Sequence, residues 1–254
     1  MKNILETKNL TKTYTINKKN YEVLKNINLQ IKKGEFVSVM GRSGSGKSTL
    51  LYTISGMDKS SSGSIIFDGK ELSGLAEKEL SKIRLDKIGF IFQQFYLLKN
   101  LSIFDNIILP AYLGKKVSRS EINKHAFALM KETGVEGLAE NDITQASGGQ
   151  LQRVGICRAL INNPEIIYGD EPTGALNSTA AAEVMEILDQ LNNSGKTILL
   201  VTHDPKIAAK TERVLFMLDG SIVAEKNLGK YIKEKNDLKQ REEILANWLI
   251  ELGF

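Results

Sequence analysis

The stretch Gly41 to Thr49, GRSGSGKST, constrains this chain more than any other, because it fits G-x-x-x-x-G-K-[ST] at Gly41, Gly46, Lys47 and Ser48. Glycines let successive backbone N–H groups curl around an anion, a lysine supplies a point charge to terminal phosphates, and a hydroxyl can ligate a divalent cation. The flanks agree with that chemistry. Phe36 to Met40 (FVSVM) reads as a buried strand, and Thr49 to Ser55 can open a helix whose positive end adds to the anion site. Such a loop must sit between a core strand and a helix, which already favours an α/β fold.

Chain length sets the scale: 254 residues with 42% hydrophobic and 25% charged side chains can bury a large core. The net charge of +4 is spread without a long basic block, which argues against a nucleic-acid partner. The single cysteine, Cys157, lies in the apolar run VGICRALI and reads as a small buried hydrophobe. MKNILETKNL has no apolar signal core, and no run approaches the roughly 18 residues of a membrane span. The expectation is a chain without a direct membrane span, located in the cytoplasm.

Along the chain, ILETKNL and VLKNINLQI read as strands, the second turning Val23, Ile27, Leu29 and Ile31 inward. SIIFDGKEL carries a hairpin signal at Asp68-Gly69, so an antiparallel layer flanks the glycine-rich loop. A helical pattern from Leu72 leads to a strand, Ile88 to Phe92, and then to Gln93. Ser118 or Ser120 to Lys131 is helical again, with His125 an ordinary helix residue rather than a ligand. Ser147-Gly148-Gly149-Gln150 reads as a tight loop before a helix from Leu151 to Ile161, a second glycine-rich turn at a helix N-terminus.

Ile166 to Tyr168 is a short buried strand that delivers Asp170 and Glu171 at its C-terminal end. A helix follows from Thr179 to Leu191 with Ser178 as N-cap, and then an apolar strand, Thr197 to Val201, leads to His203. Asp219-Gly220 marks a last hairpin. Alternating buried strands and helices imply a parallel sheet, whose ligands sit at the strands' C-terminal ends, where Gly41, Gln93, Asp170 and His203 all emerge. The tail from Lys230 has Leu245, Trp248, Leu249 and Leu252 at helical spacing, fit to pack on its own domain or to dock elsewhere.

Together these motifs resemble the nucleotide-binding subunit of ATP-binding-cassette proteins, from Leu5 to about Gly229. The resemblance implies a P-loop NTPase fold: an α/β parallel-sheet core with an antiparallel β subdomain and a helical subdomain of about 94–160, the whole domain spanning 1–229 and the tail 230–254. Arg42, Ser43, Gly44, Ser45 and Thr49 complete the family's Walker A with Gly41, Gly46, Lys47 and Ser48. Gln93 is the Q-loop, Ser147 to Gln150 the signature, Asp170 and Glu171 belong to Walker B, His203 is the switch histidine, and Tyr14 resembles the aromatic on which adenine stacks. ATP and Mg²⁺ are the implied cofactors, with Ser48, Gln93 and Asp170 toward the metal and Glu171 and His203 catalytic.

The resemblance further implies a head-to-tail homodimer, in which Ser147 to Gln150 of one chain closes the nucleotide site of the other. It also implies an integral-membrane permease that holds the chain at the inner face of the membrane. GFIFQQFYLL, GALN and LLVTHD look most like the macrolide, lipoprotein and antimicrobial-peptide exporter branch, nearest to bacitracin- and lantibiotic-resistance ATPases. Transmission of force or signal through a membrane partner, or lipoprotein or macrolide release, are the alternatives. Two residues depart from the pattern: Ala146 where the signature usually has Leu, and Asn177 where the D-loop usually has Asp.

Overall fold

A computed structural model describes residues 2–254. The first two strands, β1 (Asn3–Ile16) and β2 (Lys19–Lys32), form a long antiparallel hairpin. Its two-residue turn, Asn17-Lys18, takes φ values of 51° and 62°, the left-handed pair that matches strand twist. The expected inward face of β2 holds at Ile27, Leu29 and Ile31 but changes parity nearer the turn. Asn26 sits at φ 50° where the register slips, so Leu24 is fully buried and Val23 only partly.

The next strand, β3 (Phe36–Gly41), is buried at every position, as a central strand covered on both faces must be. It runs into α1 (Lys47–Ile54). Then β4 (Ser62–Phe67) pairs antiparallel with β1, and β5 (Lys70–Glu71) closes a hairpin over Asp68-Gly69, both at positive φ. The antiparallel sheet thus has the order β2-β1-β4-β5.

α2 (Glu77–Lys87) leads to β6 (Ile88–Phe92). Residues 81–191 form one compact unit; those up to 80 together with 192–254 form the other. The 81–191 unit is rich in helix: α3 (Ile103–Gly114), α4 (Arg119–Glu132) and α5 (Gly148–Leu160) pack on one another. Side chains start each of them: Ser102 caps α3, and Ser118 with Glu121 builds a capping box on α4. His125 lies exposed on α4. In the same unit β7 (Ile166–Asp170) runs parallel to β6.

α6 (Ser178–Asn193) starts one residue earlier than expected. Its cap is Asn177, whose Oδ1 accepts a 2.9 Å hydrogen bond from Ala180 N, while Ser178 is already helical. β8 (Thr197–Val201), the short α7 (Pro205–Ala208), β9 (Arg213–Leu218) and β10 (Ser221–Asn227) follow. β3 lies parallel to both β8 and β9, and β10 returns antiparallel on β9.

The tail helix α8 (Leu238–Glu251) buries Leu245 and Leu249 against Met40, Ala208, Val214 and Phe216 of its own unit, with Trp248 and Leu252 alongside. Its apolar stripe therefore serves the core of that unit.

Candidate functional site

In the first unit the glycine-rich loop leaves the end of β3 and enters α1. Gly41 has φ 154°, and a Cβ there would lie 2.2 Å from the Met217 carbonyl oxygen; one at Gly46, φ 96°, would lie 2.9 Å from that of Val23. Only glycine fits either place. The Lys47 ammonium, largely buried, donates to the carbonyls of Gly41 and Arg42, both at 2.9 Å. No side chain caps the N-terminus of α1, and its first turn carries no acid. Ser45 Oγ is buried without a hydrogen-bond partner among the described residues. A loop with a cation, amides at a helix start and an unused buried hydroxyl suits a phosphate chain. Ser48 adds a hard oxygen donor in the first helical turn, the kind a magnesium ion prefers.

His203 emerges just past β8, at the same end as Gly41 on the parallel β3. Tyr14, near the end of β1, is partly exposed, and its hydroxyl donates to Asp58 Oδ2 at 2.5 Å. Burial first, and then that hydrogen bond, push the Tyr14 phenol up to about 12. Burial alone would raise Asp58 as well, but hydrogen bonds from Lys12 and Tyr14 and the charge of Lys12 hold its carboxyl below the ordinary range. Lys12 and Asp58 escaped the sequence reading. One signal was available: a lysine in step with Leu10 on an inward strand face requires an anionic partner.

In the second unit Gln93 follows β6 and Asp170 ends β7, and the two strands are paired in parallel at Phe92 and Asp170. Asp170 is buried, while Gln93 is exposed. Glu171 takes φ 48°, a left-handed conformation rare for glutamate, in the turn closed by Gly174 N on its carbonyl at 3.0 Å. The segment after Gln93 is fixed by Arg158, whose guanidinium donates to the carbonyls of Phe95 and Tyr96 at 2.7 Å each.

Ser147 to Gln150 departs from expectation in form: only Ser147 stands outside the helix, and Gly148, Gly149 and Gln150 are the first turn of α5. Ser147 Oγ accepts from Gln150 N at 3.3 Å, and Gln150 Oε1 accepts from Ser147 N at 2.8 Å. The reciprocal box spends both side chains as acceptors and leaves the serine O–H proton able to donate outward. Cys157 on α5 is buried beside Thr133, its thiol pushed up to about 12 by burial, so it is chemically quiet.

Comparison with known proteins turns these separate parts into a family. The model of the ABC transporter family matches residues 24–174, more than half of the chain. The chain belongs to the ABC transporter family. The ABC cassette is 47% identical over 222 residues to the macrolide export ATP-binding/permease protein MacB of Mannheimia succiniciproducens, covering 87% of this chain and 34% of that protein. It is 46% identical over 230 residues to the uncharacterized ABC transporter ATP-binding protein MJ0796 of Methanocaldococcus jannaschii, covering 89% of this chain and 97% of that one. The chain therefore spans about a third of the MacB relative and nearly the whole of MJ0796.

Among solved structures, the dimeric post-hydrolysis state of MJ0796 bound to ADP and Pi superposes with a TM-score of 0.83 at 44% identity, over 89% of this chain and all of that one. The ABC cassette described here is an ATPase domain with the P-loop NTPase fold. Among its described residues no helix is long and apolar enough to cross a membrane.

Proposed function

We propose that this chain is the ATP-hydrolysing subunit of an exporter, powering a membrane permease that removes antimicrobial peptides or related compounds. Relatives named for macrolide export and for probable syringafactin export support the export reading. Gly41 to Thr49 cradle the phosphates, Lys47 leaving its two carbonyls for the terminal phosphate oxygens, and Tyr14 stacks on the adenine. Ser48, Asp170 and Gln93 would hold Mg²⁺, which when bound offsets phosphate charge; a hydroxyl, a carboxylate and an amide oxygen are the hard donors it takes. Glu171 accepts the proton of the attacking water, and His203 contacts the terminal phosphate. Two copies act head to tail, with Ser147 to Gln150 of one chain completing the site of the other through the N-terminus of α5.

The observation that carries the catalytic reading is the left-handed backbone of Glu171 directly after buried Asp170, since such conformations gather at working sites. The permease reading is supported by a groove of about 440 Å³ in the second unit, edged by Phe90, Phe92 and Tyr96 with Arg84 and Arg158 among its walls. Stacked rings beside two guanidinium groups suit an amphipathic helix carrying acidic residues. Docked there, the chain sits at the inner face of the membrane.

The test is Glu171→Gln. ATP binding should persist, turnover should fall by about 10² to 10⁴, and an ATP-bound dimer should accumulate on gel filtration. Unchanged turnover would remove Glu171 from the mechanism.

A further inference from the structure

Lys12 occupies an inward position of β1, its side chain only 9% exposed. A buried ammonium requires an anion and full hydrogen bonding. Its Nζ has both within 2.6 Å: Asp58 Oδ1 and the carbonyl of Lys59. The other Asp58 oxygen, Oδ2, is the atom that receives the Tyr14 hydroxyl at 2.5 Å. Lys12 Nζ also stands 4.6 Å from the centroid of the Tyr14 ring. One carboxylate thus joins a lysine and a tyrosine that lie two residues apart on the same strand.

Asp58 is itself fixed to the helix that begins at the phosphate loop. Its backbone N–H donates to the carbonyl of Tyr52 on α1 at 3.0 Å, as does that of Met57 at 2.9 Å. The Tyr14 ring is therefore held at its hydroxyl end by a carboxylate whose backbone is anchored on α1 and bounded on one side by an ammonium, while it stays partly exposed. An aromatic platform binds a base best when its rotamer is settled before the base arrives.

We infer that Asp58, together with Lys12, is a positioning residue for nucleotide binding: it locks Tyr14 as the base platform and ties that platform to the phosphate-loop helix, so that base and phosphates meet a preset spacing. The inference rests on the reading of Tyr14 as the adenine-stacking residue. The protonation states fit, since a phenol raised to about 12 remains a donor and a carboxyl held low remains an acceptor.

The experiment compares Tyr14→Phe, Asp58→Asn and Tyr14→Ala in the full chain, with calorimetric binding of ATP and, separately, of inorganic tripolyphosphate, which has no base. Tyr14→Phe keeps the ring and removes only its anchor; it should weaken ATP about fivefold and leave tripolyphosphate unchanged. Asp58→Asn, which keeps an acceptor but loses the charge facing Lys12, should fall between Tyr14→Phe and the native chain. Tyr14→Ala should weaken ATP about tenfold or more, again with tripolyphosphate unaffected. If Tyr14→Ala weakens ATP while Tyr14→Phe binds it like the native chain, stacking stands and the positioning role is wrong. If Tyr14→Ala binds ATP normally, the stacking reading itself fails. A parallel loss of ATP and tripolyphosphate in Tyr14→Phe would overturn the proposal in favour of a purely structural role.

Discussion

Gln93 and Glu171 aim their polar ends at the same glycine. A Cβ built on Gly174 would lie 2.9 Å from Gln93 Nε2 and 3.2 Å from Glu171 Oε2, so an amide after β6 and a carboxylate after β7 share a floor that a methyl group enters only by pushing them aside. The backbone at Gly174 is not in the left-handed region, so the demand an added methyl group makes there is that these two side-chain ends move.

Gly174→Ala is therefore expected to displace both side chains while leaving the phosphate loop untouched. Turnover should drop by about ten- to a hundredfold, the usual effect of a sub-ångström to ångström misplacement, with ATP affinity near that of the native chain. Steady-state hydrolysis beside nucleotide titration checks it. Native turnover in this variant would mean that neither group needs its present position.

Ser147→Arg places a bulky cation at the outward tip of α5. In the proposed composite site each nucleotide is held by its own chain's phosphate loop, so monomeric ATP affinity should remain and ATP-driven dimerisation should vanish. Sedimentation with and without ATP separates the two. Loss of monomer binding would sink the composite-site reading. The capping box is lost as well, so a fall in stability of about 1 kcal/mol accompanies the change.

Arg241 on α8 is 5% exposed, and its guanidinium satisfies four backbone carbonyls, those of Ala209, Thr211, Leu228 and Gly229, at 2.7 to 2.9 Å. Arg241→Met keeps most of the packing and strands those acceptors. A loss of about 2–4 kcal/mol is expected from chemical denaturation. A loss under about 0.5 kcal/mol would show that the carbonyls find other donors at once.

Tyr168 in β7 is wholly buried, with its hydroxyl lacking a hydrogen-bond partner among the described residues, and burial raises its phenol far above the ordinary value. Tyr168→Phe removes an unsatisfied polar atom and should leave stability unchanged or improve it by about 1 kcal/mol. A clear loss in thermal unfolding would reveal a partner that the geometry lacks.

Much of the local structure was legible because its signals are short in sequence. The glycine-rich loop, the Asp68-Gly69 hairpin and a helix start at Ser118 lie each within a few residues, and local backbone chemistry favours those residue types. Even there the boundary of α5 moved, since a capping box draws its intervening glycines into the helix. The order of the motifs identified the family, and the match over 24–174 bears that out.

What the sequence by itself determined, then, is the phosphate loop, the ordered motifs that mark the family, and the alternation of strands and helices that carries them. Tertiary structure decided the rest. Leu24 rather than Val23 enters the core because a bulge, which depends on pairing with β1, resets the parity of β2. Asn177 rather than Ser178 caps α6 because the backbone turns there. Asp58 reaches Tyr14 across 44 residues of chain, and Arg241 reaches Ala209 across 32. A hydrogen bond of such range depends on the register and packing of whole elements, and no local residue pattern encodes its partner.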